Sequence, residues 1–202
     1  MIINWYGEAC FKIQTGGVTI LTDPFDSSTG LTPPRFKADI VLKTLTVLPI
    51  PYQPTTEERI VAGGGEYEIA GVEIRGWRAE ADEKFLKTIF RVRAEDMTLG
   101  FLGHLTAPLA PESIEEVAGI DILFVPAGGK PLIGQEDMAK IIKQIGPKII
   151  VPSLVKIPGL KRAAADVKEF LEELGQKAQP QEKLTIKKKE LPASTQVVIL
   201  TI

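Results

Sequence analysis

Residues 5–25 read WYGEACFKIQTGGVTILTDPF. Phe11 and Ile13 alternate with Lys12 and Gln14, the two-residue period of a strand with one buried face. Thr15-Gly16-Gly17 follows as a turn, glycine supplying the positive φ that tight hairpins need. Residues 18–22 form the returning strand, and Asp23-Pro24 stops it, since the residue before proline is restricted and proline donates no ladder hydrogen bond. A chain that opens on such a hairpin is not building an open, doubly wound parallel sheet, whose strands need long crossovers.

The rest of the chain extends this pattern. Residues 26–37, rich in Ser, Thr, Gly and Pro, read as a loop. In ADIVLKTLTVLPIP, residues 38–51, the run Ile40, Val41, Leu42 is a buried strand, and the residues from Thr44 to Ile50 read as the loop that leaves it. Three prolines within residues 49–57 predict irregular backbone. Hairpins are expected at 66–69 with 72–77, turning at Ala70-Gly71, and at 88–93 with 98–102, turning at residues 94–96. The rhythm then changes. Pro111 opens a short helix, 121–126 is a strand, 135–145 a helix stopped by Gly146-Pro147, and 148–151 a strand. Residues 163–174 form an amphipathic helix with Val167, Phe170, Leu171 and Leu174 on one face and Gly175 as its cap. Strands at 184–188 and 196–201 close the chain. Hairpins followed by helix–strand alternation fit a sandwich of two mixed, mostly antiparallel sheets with helices outside, in one domain spanning residues 1–202.

Composition excludes several classes. The 202 residues are 44% hydrophobic and 25% charged, with a formal net charge of −2. No basic block points to nucleic acid, and no segment approaches a membrane span. The N-terminus lacks the pattern of a signal peptide, so a cytoplasmic protein is expected. One cysteine, Cys10, leaves no internal disulfide and no thiolate zinc cluster. One histidine, His104, leaves no site of several imidazoles.

Four segments, in order, resemble the metallo-β-lactamase-fold superfamily, specifically the small metal-dependent hydrolases grouped with ascorbate-phosphate lactonase. WYGEACFKIQTGGVTILTDPF is similar to the family opening W-x-G-H-A-x-F, hairpin and D-P-F strand end. GGGEYEIAGVEIRGW resembles its G-x-x-x-x-I-x-G-V hairpin. TLGFLGHLTAPLAPESIEEV resembles its L-G-D-x-G-H-x-L-x-P-E segment. DILFVPAGGKPLIGQEDMAKIIKQIGPKIIVPSLVK resembles its strand, glycine pair, helix and P-x-H segment. The resemblance implies a four-layer αββα sandwich and a zinc-dependent hydrolase. It also implies where the metal ligands belong, and there this sequence departs from it. In the family signature T-H-x-H-x-D-H, Thr44 keeps the threonine, while Leu45, Val47, Pro49 and Ile50 stand at the His, His, Asp and His positions. Arg78, His104 and Leu154 stand at the later histidine, the bridging aspartate and the last histidine, and Glu8 replaces the opening histidine. Zinc needs three or four N, O or S donors at about 2.0–2.3 Å, and hydrocarbon side chains supply none. No metal cofactor is therefore expected here, although the family binds zinc. Enzymatic activity is left open.

The candidate pocket residues are Glu8, Asp23, Lys43, Arg78, His104 and Leu154, with the pair Gly128-Gly129. Arg78 paired with Asp23 or Glu8 would let the pocket balance its charge without metal. His104 reads either as a side chain filling the vacated space or as a general base oriented by Asp23. In the second case Arg78 stabilises an anion, and the reaction is hydrolysis of a lactone or phosphoester. Asp23 alternatively accepts loop amides. Glu8, Asp23 and His104 could form a two-carboxylate, one-histidine metal site. Cys10 reads as a small buried hydrophobe. Gly128-Gly129 either approaches a phosphate or serves a turn. The apolar start of PIPYQPTTEER, with Leu48, Ile50 and Tyr52, suggests a plugged pocket or a sticky surface. The expected function is a non-catalytic binding or assembly protein. Its expected partners are a small anionic ligand, or another copy of itself or a paralogue.

Overall fold

The computed structural model describes residues 1–50 and 59–202. Tyr52 and most of the proline-rich stretch lie outside the described residues.

The opening hairpin forms as the alternation requires. β1 (Ile2–Trp5), β2 (Phe11–Thr15) and β3 (Val18–Thr22) pair antiparallel in succession. β4 (Ile40–Lys43) then adds parallel to β3. The chain does not loop out after Lys43, as the sequence suggests. Leu45–Val47 is a further strand, β5, antiparallel to a strand of the other sheet. Its alternating, β-branched residues suit a ladder, and Thr44 is the buried residue at which the chain changes sheets. β6 (Arg59–Ala62) returns to the first sheet beside β4. β7 (Gly65–Ile69), β8 (Val72–Ala81), β9 (Phe85–Ala94) and β10 (Met97–Phe101) form an antiparallel meander.

Helices then connect parallel strands. α1 (Pro111–Glu116) leads to β11 (Ile122–Pro126), and α2 (Gln135–Ile145) leads to β12 (Ile149–Ser153). β11 and β12 are buried along their whole length, as strands covered on both faces are. The expected helix over 163–174 is shorter: α3 is Val167–Leu174. Asp166 caps it by accepting from the Lys168 N–H, and before the cap Ala165 donates to the Gly128 carbonyl and accepts from Lys156. Its apolar face holds as read, with Phe170 fully buried and Gly175 left-handed at φ 61°. β13 (Pro180–Gln181) and β14 (Lys183–Thr185) follow. The closing strand is divided into β15 (Gln196–Val197) beside β12 and β16 (Ile199–Leu200) beside β13.

The first sheet runs β14-β1-β2-β3-β4-β6, and the second β15-β12-β11-β10-β9-β8-β7 with β5 attached to β9. Each is antiparallel toward one side and parallel toward the other, the mixed sandwich expected from the sequence. Phe11 of the first sheet meets Phe124 of the second at 4.6 Å between ring centroids, within one continuous core. Helices α2 and α3 pack together outside the second sheet. On the outer face of the first sheet, Leu21 and Val41 are covered by the loop residues Phe25 and Phe36 and by Ile60 of β6. No helix among the described residues is long and apolar enough to cross a membrane.

Candidate functional site

After β1, β3 and β12, the chain makes three abrupt turns in sparsely populated backbone. Six described non-glycine residues have positive φ, and Ala70, Glu95 and Asp96 are explained by hairpin turns. The other three, Glu8 (51°), Asp23 (37°) and Leu154 (59°), all line one cavity of about 470 Å³. A leucine in the left-handed region is rare. Three such residues gather around one pocket, and sparsely populated backbone of this kind tends to cluster at ligand and active sites.

Hydrogen bonds hold these turns. The Leu154 N–H donates to the Glu8 carbonyl (3.1 Å). Arg162 closes the same corner from the side chains: its Nε donates to both Glu8 carboxylate oxygens (3.0 and 2.8 Å), and its Nη2 to the Leu154 carbonyl (2.5 Å). The pair is largely buried, with side-chain exposures of 12% for Glu8 and 30% for Arg162. Asp23 is held differently. Its Oδ1 accepts the Thr44 N–H (2.7 Å) and its Oδ2 the Thr44 hydroxyl (2.6 Å). Thr44 Oγ1 lies 3.0 Å from His104 Nδ1, completing an Asp23–Thr44–His104 chain. Gly103 makes this approach feasible, because a Cβ there would lie 2.3 Å from Thr44 Oγ1. Burial pushes the Asp23 carboxyl above the ordinary carboxylate range, against the opposing pull of His104 and of hydrogen bonds from Thr44 and Leu45.

Five of the residues singled out from the sequence meet here: Glu8, Asp23, Lys43, His104 and Leu154 line the cavity. Arg78 does not. It is exposed on β8 and pairs with neither Asp23 nor Glu8; Arg162 takes the place expected of it. Nothing in the sequence marks Arg162, which stands 154 positions from Glu8. Gly128 and Gly129 also fall outside the lining, and their role is backbone geometry. A Cβ on Gly128 would sit 1.9 Å from the Leu154 carbonyl oxygen, and Gly129 turns at φ 63°. Cys10 is buried, and burial, then the Asp23 charge, raises its thiol far above the ordinary range, as expected of an inert packing residue. Among the described residues the pocket is unfilled, with Phe25, Leu45, Leu132 and Leu154 as apolar walls; most of the stretch expected to plug it lies outside them.

The metal implied by the resemblance does not fit these residues. Leu45 and Leu154 reach the cavity without a donor atom. The Glu8 carboxylate is engaged by Arg162, and both Asp23 oxygens and His104 Nδ1 are turned to Thr44. Among the described residues no group of three or more His, Cys, Asp or Glu side chains is arranged to hold a metal ion.

Comparisons with known proteins agree with the architecture. A Thermotoga maritima structure described as a Zn-dependent hydrolase of the metallo-β-lactamase superfamily superposes with a TM-score of 0.82 at 30% identity, covering 98% of this chain and 97% of that one. A metallo hydrolase of Ignicoccus hospitalis shares the fold at a TM-score of 0.62 and 16% identity, over 92% of this chain and 99% of its own. A Lysinibacillus sphaericus UPF0173 metal-dependent hydrolase is 27% identical over 75% of this chain and 84% of its own. Residues 2–153 match the family described as the β-lactamase superfamily domain. Taken with the two-sheet sandwich and the pocket at its strand ends, this match means that the chain belongs to the metallo-β-lactamase superfamily.

Proposed function

We propose that this protein is a single-domain, metal-independent small-molecule-binding member of its superfamily, related to the hydrolases grouped with ascorbate-phosphate lactonase but without their metal chemistry. One observation carries this reading: the pocket persists with its strained turns, while the family's ligand positions hold Leu45, Val47, Pro49, Ile50 and Leu154, and the nearby carboxylates are engaged by Arg162 and Thr44. Divalent zinc without converging donors neither binds tightly nor lowers the pKa of a water. Relatives described as metal-dependent hydrolases share the scaffold, and scaffold alone does not carry an activity. Elemental analysis of protein purified without chelator should give zinc well below one equivalent. Thermal melts with added zinc, manganese or chelator should coincide. A tightly binding ion at a hundred times its Kd would add about 2.7 kcal/mol, and a shift of that size would refute the reading.

A second reading is favoured by the Asp23–Thr44–His104 chain. His104 would act as general base in hydrolysis of a lactone or phosphoester, with Lys43, rather than the remote Arg78, facing the developing anion. Lactonase, esterase and phosphodiesterase activity that disappears in His104→Ala would establish it; flat panels would reject it.

A further inference from the structure

Thr44 carries one hydroxyl proton and stands between two groups that could each receive it. Asp23 Oδ2 lies 2.6 Å from Thr44 Oγ1 on one side, and His104 Nδ1 lies 3.0 Å from it on the other. The hydroxyl donates to only one of them, so the chain has two complete arrangements. With Asp23 ionised, Thr44 donates to Oδ2, Nδ1 donates to Oγ1, and the neutral ring keeps a lone pair on Nε2. With Asp23 protonated, Oδ1 still accepts the Thr44 N–H at 2.7 Å, which leaves Oδ2 to carry the acid proton. Oδ2 then donates to Oγ1, Thr44 donates to Nδ1, and the ring hydrogen lies on Nε2. No heavy atom has to move between the two. Thr44 is 1% exposed, so water does not compete for either contact.

We propose that Asp23, Thr44 and His104 form a proton switch, in which uptake of one proton turns the ring edge remote from Thr44 from an acceptor into a donor. The proton arrives at Nε2, the Nδ1 hydrogen passes to Oγ1, and the hydroxyl hydrogen passes to Oδ2. The ring begins and ends neutral, and the proton gained appears as the lost charge of Asp23. The competing arrangement with the same number of protons is an imidazolium facing an ionised Asp23. Burial, the main influence on the Asp23 carboxyl, favours the form without separated charges. The other charged side chains of the cavity wall are Lys43, which opposes a second cation there, and the paired Glu8 and Arg162. The Cys10 thiol near Asp23 stays uncharged. Two carboxylates and two cations line the cavity while Asp23 is ionised, and the switch leaves one cation in excess. The inference goes beyond both readings of function, because the switch operates with or without a substrate.

Nitrogen-15 labelling of histidine and carbon-13 labelling of the aspartate carboxyls follow both ends of the chain. His104 is the only histidine, so it gives a single pair of ring signals, and the Asp23 signal is identified by its loss in Asp23→Asn. In metal-free protein at alkaline pH, Nδ1 should be protonated and Nε2 pyridine-like. As pH falls, the two nitrogens should exchange character at one midpoint, shared with the Asp23 carboxyl, before any imidazolium forms. Asp23→Asn should hold the Nε2–H form from alkaline pH down to the imidazolium, because its amide donates to Oγ1 permanently. Thr44→Ser should keep the switch. Thr44→Val keeps the backbone N–H to Asp23 and cuts the path, so its ring should pass directly to imidazolium at a midpoint separate from that of Asp23. Thermal melts show whether each variant is folded, and the parent spectra decide alone where one is not. A parent ring that passes straight to imidazolium while Asp23 stays ionised overturns the proposal, as does an exchange that persists in folded Thr44→Val.

Discussion

Replacing Arg162 with methionine tests which arginine balances the pocket. Methionine keeps much of the length and apolar stem but removes every donor. The change strands Glu8, whose side chain is 12% exposed, and leaves the Leu154 carbonyl without its side-chain donor. Breaking a fully buried ion pair from one side costs about 3–5 kcal/mol. Arg162 is 30% exposed, so solvent screening lowers the expected cost to about 2–3 kcal/mol. For a chain of this size each kcal/mol moves Tm by about 2–4 °C, giving a fall of about 5–10 °C in calorimetric or fluorescence melts. Arg78→Leu is the control, since exposed Arg78 has neither carboxylate as partner. It should stay within about 0.5 kcal/mol of the parent. Combining Arg162→Met with Glu8→Gln should recover part of the loss, with a coupling of about 1–3 kcal/mol. An Arg162→Met protein that melts within a degree of the parent would refute the reasoning, as would an Arg78→Leu protein that falls as far.

Asp23 predicts a pH dependence. Its native pKa is raised above the unfolded value by burial, so the native state binds the extra proton. That contribution is complete below the unfolded pKa, about 3.9, and is lost as pH rises through the native value. Urea unfolding should therefore show Asp23→Asn gaining on the parent as pH rises from the unfolded value toward neutrality; a constant difference would contradict the assignment. Gly103→Ala places a Cβ 2.3 Å from Thr44 Oγ1 at a φ of 55°. It should lower stability by about 2 kcal/mol or more and disturb the His104 ring signals; a silent substitution would mean the loop is not seated on Thr44. Gly128→Ala, aimed at the Leu154 carbonyl from 1.9 Å, should be at least as costly, whereas alanine at Gly134, with nothing within 4 Å, should be tolerated.

Legibility differed between fold and site for a physical reason. Hairpins, caps and amphipathic faces are set by neighbours a few residues apart, so β2 and β3, helix α2 and the buried face of α3 could be read directly. The misreadings came where partners are distant. Leu45–Val47 forms a strand because β9 supplies the ladder, and α3 starts late because Gly128 and Lys156 bind the preceding residue. Arg162 was invisible for the same reason.

The sequence by itself determined which atoms can be present: one imidazole, one thiol, and hydrocarbon side chains at Leu45, Val47, Pro49, Ile50 and Leu154, where the resemblance implies metal ligands. Composition limits chemistry without any coordinates. Only the tertiary structure decided how the remaining polar groups are used, giving Glu8 to Arg162 instead of Arg78 and tying Asp23 through Thr44 to His104. Those pairings depend on turns brought together from opposite ends of the chain, and no local pattern of residues encodes such a meeting.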